Sequence, residues 1–365
     1  MGGAVGDALG APIEFWSTEQ IRVAAGPRGV RDFQIASFSG AKGVGLVTDD
    51  TQMTLFTVEG LIRMLTRERT KGIGRTVAVV DRAYRRWLDT QDQSGPNPGD
   101  GWLATQAWLY SRRAPGNTCL SALRAPRDLG EPARNDSKGC GGVMRSAPFG
   151  FLPLEHEEIY ALACEAASYT HGHPTGQHAS GALALIVHAL ADGSGLFEAV
   201  ALTMAFLSEQ PGTDETLTSL AAAVALARDD SVREPGTIER LGQGWIAEEA
   251  LAMATFAALV HSAPGQCRDA LAVAVSHGGD SDSTGAICGN ILGAAHGLAA
   301  IPADLAFRVE GRGTILELAD DFWYEIIGGQ TPWDSWPVII GSSVASAGDP
   351  GLHDQTAWFE RYPPD

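Results

Sequence analysis

The segment HGGDSDSTGAICGNILGAAHG, from His277 to Gly297, decides how this sequence folds. Gly285, Gly289, Gly293 and Gly297 recur at steps of four among Ala, Ile and Leu, which sets all of them on one stripe of a helix. Each interior glycine costs about 1 kcal/mol relative to alanine, so four together cost on the order of 4 kcal/mol unless close packing compensates. A stripe without side chains lets another backbone approach. The helix is therefore expected at the centre of a bundle, with a neighbour pressed against it and its start held as a fixed point. Gly2, Gly6 and Gly10 repeat the spacing at the beginning of the chain, and the two glycine-faced helices are expected to pack on each other.

Outward from that pair, helical periodicity dominates. Val77, Val80, Tyr84 and Trp87 fall at steps of three and four, as do Leu251, Phe256 and Leu259 in an Ala-rich segment over 246–261. Further helices are expected over 157–169, 176–191, 196–208, 214–228, 266–275 and 314–324, while strand-like alternation is scarce. The fold class is all-α, with long irregular loops around 26–47 and 92–100 and a Pro-, Trp- and Gly-rich irregular tail from about 329 that wraps the surface. A chain of 365 residues would allow two domains at roughly 150 residues each. The motifs below run from residue 7 to residue 283, and they can form one site only within a single domain spanning 1–365.

Lys and Arg total 26 and Asp and Glu 44, a net charge of −18, which disfavours nonspecific binding to nucleic acid or to an anionic membrane. An anionic substrate would need something positive waiting for it. Cys119, Cys140, Cys164, Cys267 and Cys288 show no CxxC spacing, and an odd number of dispersed cysteines suits reduced thiols in the cytoplasm. Neither a secretory leader nor a run of 18 apolar residues is present, so no membrane span is expected, and a monomer is the simplest assembly.

The chemistry gathers at helix starts. GGDSDS brings Asp280, Asp282 and Ser283 to the beginning of the glycine-striped helix, and TDDT (Thr48 to Thr51) opens an amphipathic segment carrying Met53, Phe56, Leu61 and Leu65. Asp7 and Glu14 lie seven apart, on one face of the first helix. One acidic residue at a helix start is ordinarily a cap favoured by the helix dipole. Four aspartates from two helix starts, with hydroxyls beside them, are the hard oxygen donors that Mg²⁺, Mn²⁺ or Ca²⁺ prefer. Converging carboxylates repel and raise one another's pKa, and two divalent cations would resolve that conflict. No HExxH zinc motif competes, and DDTQM lacks the second carboxylate of the DDxxD motif that a terpene synthase would use.

Five stretches carry a resemblance: GAVGDALGAPIEF (Gly3 to Phe15), TDDTQMTL (Thr48 to Leu55), SKGCGGVMRSAP (Ser137 to Pro148), THGHP (Thr170 to Pro174) and the GGDSDS helix. In order and spacing they resemble the successive motifs of the ADP-ribosylglycohydrolase family. The resemblance implies a single all-α domain with two Mg²⁺ or Mn²⁺ ions ligated by Thr48, Asp49, Asp50, Asp280, Asp282 and Ser283. Glu14 matches a glutamate close to the metals, and Glu14, Asp50 and Asp282 are the candidates for the carboxylate that takes a proton from the attacking water. The loop of Ser137, Gly139, Cys140, Gly141 and Gly142 matches the segment that contacts the diphosphate, His171 a histidine lining the cleft, and Asp100, in NPGDG, a further acidic residue near the metals. Cys140 departs from the Asn that several relatives carry.

The implied activity is release of ADP-ribose from a modified protein side chain, arginine first among acceptors, or from a small molecule containing ADP-ribose. An O-linked ADP-ribosyl acceptor and a relative that binds without catalysis, such as an occluding immunity protein, stay open. Arg145, in a Gly-rich turn, reads as structural, His173 and His178 as bystanders, and Trp102 and Tyr110 as core packing rather than stacking on adenine.

Overall fold

Helices carry the architecture of the computed structural model, which describes residues 1–72, 77–96, 99–229, 233–327, 338–340, 343–345 and 355–363. The first, α1 (Gly2–Gly10), is buried along its whole length. α2 (Thr18–Ala25) starts at a capping box in which the Ser17 hydroxyl accepts from the Gln20 amide and the Gln20 side chain accepts from the Ser17 amide. A hairpin follows, β1 (Ile35–Phe38) antiparallel to β2 (Ala41–Val44), with Phe38 opposite Ala41 and Gly40 at φ 84° in the turn. α3 (Asp49–Lys71) ends at Gly72, which takes the left-handed conformation. It is followed by α4 (Ala78–Asp92) and α5 (Asn117–Arg124), then by short 3₁₀ turns through 143–151.

In the second half each helix packs on the next: α6 (His156–Ser168), α7 (Pro174–Ala191), α8 (Leu196–Ser208), α9 (Asp214–Ala227), α10 (Ala247–Val260) and α11 (Cys267–Val275). It closes with α12 (Ser281–His296), α13 (Ala303–Arg308), α14 (Arg312–Ile326), a second hairpin of β3 (Val338–Ile340) and β4 (Ser343–Ala345), and α15 (Gln355–Arg361). α1, α7, α10 and α11 all pack on α12, and α3 packs on α4 and α14. One buried apolar cluster runs from Ala4 to Tyr362. No helix among the described residues is long and apolar enough to cross a membrane.

The glycine stripe makes the contact that its spacing requires. A Cβ added to Gly6 would sit inside the carbonyl of Gly285, one on Gly285 inside the carbonyl of Gly6, and those on Gly2 and Gly289 would strike each other's carbonyls. Gly10 in turn meets the Ser281 carbonyl. The two backbones are therefore in contact along α1. The far end of the stripe behaves differently: Gly293 has nothing closer than 4.0 Å, and Gly297, at φ 72°, lies past the last turn as the cap of α12.

Other expectations change. Glu14 is not on the first helix, because α1 ends at Gly10 and Glu14 sits in the turns that follow. The region 26–47 holds a hairpin, and α2 just before it carries a single buried residue, Ile21, which is why its periodicity is faint. The tail is not irregular throughout. α15 docks by burying Trp358 and Tyr362, and the Arg361 guanidinium pairs with Asp321 and Glu317 while lying 3.7 Å over the Trp102 ring. Apart from α15 with the two residues after it and the β3–β4 strands, that stretch from 329, and residues 97 and 98 of the loop expected over 92–100, fall outside the described residues.

Candidate active site

Because α1 and α12 touch through backbone, Asp7 on one is held beside Asp282 on the other. Asp7 also organises the start of α3. Its carboxylate accepts from the Thr48 amide at 3.0 Å, the Thr48 hydroxyl at 3.0 Å, the Thr51 amide at 3.1 Å and the Thr51 hydroxyl at 2.5 Å. Thr48 caps α3 in extended conformation and accepts from the Asp50 amide at 3.3 Å. The amides at the start of α3 are thus tied to α1, and Asp49 and Asp50 follow where the helix dipole is positive. Asp49 accepts from the Gly116 amide at 3.3 Å, which brings the start of α5 to the same place.

The start of α12 is built the same way. Asp280 is its N-cap, accepting from the Ser283 amide at 3.3 Å, and the Asp280 amide donates to the Gln243 carbonyl at 2.8 Å. Asp7, Asp49, Asp50, Asp280 and Asp282 are all at most 5% exposed, and Glu14 is half-buried. Burial raises the carboxyl pKa of Asp49, Asp50 and Asp280 well above the ordinary range, and the charge of Asp282 is the next cause in each case. The same two causes raise Asp7 to about 7 and Glu14 to about 10, with Asp280, Asp49 and Asp7 adding to the effect on Glu14. Asp282 is thus the charge that every other member feels.

Among the described residues no group of three or more His, Cys, Asp or Glu side chains is arranged, as it stands, to hold a metal ion. The donors nevertheless suit a hard cation. They are carboxylate and hydroxyl oxygens, they repel one another, and Asp50 Oδ1 is buried with no hydrogen-bond partner. Thr48, Asp49, Asp50, Asp280, Asp282 and Ser283 all belong to this one cluster, and Glu14 joins it from its turn.

The loop at 137–142 runs alongside. Gly139 forms an isolated antiparallel bridge to Ile246, the Cys140 amide donates to the Trp245 carbonyl at 3.2 Å, and the Gly139 amide donates to the Ser137 hydroxyl at 3.3 Å. With the Ser137 amide donating to Asn135 Oδ1 at 3.0 Å, three of the loop's amides are used inside the protein, which leaves Gly141, half-buried, as the glycine amide best placed to meet a ligand. The Cys140 thiol turns the other way and donates to Asp280 Oδ2 at 2.8 Å, and burial, the Asp280 charge and that bond raise its pKa well above the usual range. The residue that departs from the family pattern is part of the carboxylate cluster.

His171, expected in the cleft wall, is 1% exposed and lies under the loop, where a Cβ on Gly141 would meet its ring at 3.0 Å. Burial and then the Arg145 charge lower its pKa to about 3, so it is neutral, with Nδ1 at 2.8 Å from the Thr170 hydroxyl. Arg145 is buried over the Tyr84 ring at 4.1 Å and donates to Thr170 Oγ1 at 2.7 Å, tying the loop's base to the bundle. His173 accepts from the Thr175 amide as the cap of α7, and His178 bonds the Tyr160 hydroxyl. Tyr110 donates to the Ala104 carbonyl at 2.8 Å.

Asp100 is placed apart. Its carbonyl accepts from Arg63, which lies fourteen residues along α3 from Asp49, roughly 20 Å at 1.5 Å per residue. The role implied for it beside the metals has no support in that position. A cavity of about 610 Å³, lined by Asn117, Thr118, Leu120, Ser121, Arg124 and Ala125, opens along α5. It reaches the loop through Thr118, whose hydroxyl is 3.3 Å from that of Ser137. Sequence reasoning set Asp7 among the acidic residues but gave it no ligand or catalytic role, although a carboxylate in a helix otherwise made of Gly, Ala, Val and Leu is the signal that would have assigned one.

Comparison with known proteins shows what the chain as a whole is similar to. The sequence model of the family described as ADP-ribosylglycohydrolase matches residues 1–332. The chain is 29% identical over 307 residues to an uncharacterized protein of Archaeoglobus fulgidus, covering 80% of this chain and 85% of that one. It is 27% identical over 312 residues to the ADP-ribosyl-[dinitrogen reductase] glycohydrolase of Rhodospirillum rubrum, covering 83% and 86%, and 25% identical over 347 residues to the ADP-ribosylhydrolase ARH3 of Bos taurus, covering 85% and 87%. Among solved structures, an ADP-ribosylglycohydrolase-related protein complex superposes with a TM-score of 0.62 at 25% identity, over 89% of this chain and 95% of that one.

Proposed function

The chain belongs to the ADP-ribosylglycohydrolase family, and from that premise we propose that it hydrolyses the N-glycosidic bond between ADP-ribose and an arginine side chain, with two divalent cations, Mg²⁺ or Mn²⁺, held by Thr48, Asp49, Asp50, Asp280, Asp282 and Ser283. The observation that carries the reading is the convergence of six carboxylates from three segments, in which burial and acidic neighbours raise the pKa of five. Bound cations would supply a template for the ribose hydroxyls and a Lewis acid beside the reacting carbon.

Cleavage breaks the bond from ribose C1 to the acceptor nitrogen and leaves an oxocarbenium-like sugar, which an acidic wall stabilises. Water adds to C1 and gives up a proton. Of Glu14, Asp50 and Asp282, Glu14 is the one with access, since Asp50 and Asp282 are 3% and 4% exposed. Burial, and then the charges of Asp282, Asp280, Asp49 and Asp7, hold Glu14 protonated, and neutralising those charges would lower its pKa toward that of a group able to take the proton of the attacking water. The Gly141 amide and the cavity along α5 offer the diphosphate and adenosine a path away from the carboxylates, and a protein of net charge −18 needs such neutral donors for an anion.

The deciding experiment measures free ADP-ribose released from matched arginine-linked and serine-linked ADP-ribosyl peptides, with Mg²⁺ or Mn²⁺ and after EDTA. Release from the arginine peptide alone, abolished by EDTA and by Asp280→Ala with Asp282→Ala, is the expected result. Release from the serine peptide instead would replace arginine with an O-linked acceptor, and no release with ADP-ribose still bound would leave a binding protein.

A further inference from the structure

The mouth of the carboxylate cluster carries an aromatic pair that the hydrolytic chemistry does not use. Phe15 and Trp245 stack with ring centroids 5.3 Å apart and planes 21° from parallel, although Phe15 is 73% exposed and Trp245 37%. Phe15 also has φ 71°, in the left-handed region that a bulky side chain rarely enters. Such a conformation costs on the order of 1–3 kcal/mol, and a mostly exposed ring recovers little of it by burial. Strain kept at an exposed position is the mark of a ring held out for something.

Both rings are fixed to the site by backbone. Phe15 follows Glu14 directly. Trp245 gives its carbonyl to the Cys140 amide, and a Cβ on the preceding Gly244 would meet Thr284 Cγ2 at 2.9 Å and Asp280 Cβ at 3.3 Å. The stack therefore spans from the Glu14 turn to the segment against the start of α12.

We propose that Phe15 and Trp245 form the acceptor subsite, a platform for the planar, cationic guanidinium of an ADP-ribosylated arginine. The inference rests on the hydrolytic reading above and says which part of the substrate this rim holds. A guanidinium lies flat on aromatic faces, is attracted by their negative π-clouds, and keeps its charge when one nitrogen is substituted. The neighbourhood selects for positive charge as well. Asp7, Glu14, Asp49, Asp50, Asp280 and Asp282 gather in one cluster behind the rings, an acidic wall that favours a cation over an anion at the mouth. A serine-linked acceptor brings neither plane nor charge.

The test compares the wild type with Trp245→Ala and Trp245→Phe. Steady-state kinetics on the arginine-linked peptide should show KM raised about tenfold in Trp245→Ala and restored to within about twofold in Trp245→Phe, with kcat little changed, as the loss of a cation–π contact predicts. Inhibition by free ADP-ribose should be unaffected, and thermal unfolding should show both variants folded. An equal loss of ADP-ribose inhibition would overturn the proposal by assigning the rings to the nucleotide, and an unchanged KM would overturn it outright. Titration with agmatine, a bare guanidinium probe, separates this inference from the hydrolytic reading. If the wild type cleaves no arginine-linked peptide yet binds agmatine through Trp245, the platform stands and the reaction assignment fails. If the wild type cleaves that peptide but neither KM nor agmatine binding depends on Trp245, the platform fails alone.

Discussion

Asp7 shows how much one side chain can set. Its carboxylate takes four hydrogen bonds from Thr48 and Thr51 and stands against Asp282, so it fixes where the start of α3 meets the start of α12. Asp7→Asn keeps the size but turns an NH₂ toward donors. Calorimetric titration with Mn²⁺ should show affinity lowered about 10–100-fold, the range for losing a group that orients metal ligands. Unchanged affinity would mean that Asp7 supports only the fold. At this scale the motifs were legible and the directions of side chains were not. TDDT and GGDSDS announce oxygen donors through their place at helix starts. That the Cys140 thiol faces Asp280 while His171 lies beneath the loop depends on how residues 138–140 pair with 245–247, a contact across more than a hundred residues.

Among the elements, the α1–α12 seam was the most readable feature, because glycine at steps of four has few uses other than close approach. The seam also makes a graded prediction. Gly6→Ala drives a methyl into the Gly285 carbonyl, and since the obstacle is backbone, the helices must separate; a loss of about 3 kcal/mol or more is expected in denaturant unfolding. Gly293→Ala shares the helix and the spacing but meets nothing within 4.0 Å, so helix propensity should make it neutral or stabilising by up to about 1 kcal/mol. Equal effects at the two positions would mean that the seam is looser than described. The elements that escaped notice have weak local signals. α2 buries one side chain, the β1–β2 hairpin shows only a four-residue pattern, and α15 is held by distant partners, Asp321 and Thr66, that no local pattern reveals.

For the whole molecule, the cluster ties stability to pH and to cations. In the folded protein Asp7 is raised to about 7 and Glu14 to about 10, against about 4 for carboxyls in an unfolded chain. The folded state therefore binds more protons than the unfolded state above about pH 4, and stability must fall as pH rises through the window between those values. Divalent cations replace the protons, so their stabilising effect should grow in the same direction. Thermal unfolding in EDTA should show a lower Tm at about pH 8 than at about pH 5, and excess Mg²⁺ or Mn²⁺ should recover more at the higher pH. A cation effect independent of pH would mean that the ions bind away from these carboxylates. All-α character was plain from periodicity, whereas the docking of the C-terminal segment was not, since its anchors, Trp358 and Tyr362, sit in a short Pro-flanked stretch with no long pattern.

The seam also bears on the chain's synthesis. α1 carries one polar side chain, Asp7, and the surface that covers it arrives only with residues 281–296. Until those residues are made, α1 is a largely apolar helix without its partner, open to chaperones and to neighbouring nascent chains. The aspartates of the two helix starts cannot meet until that wait ends, so the carboxylate cluster forms only after residue 282 has been made.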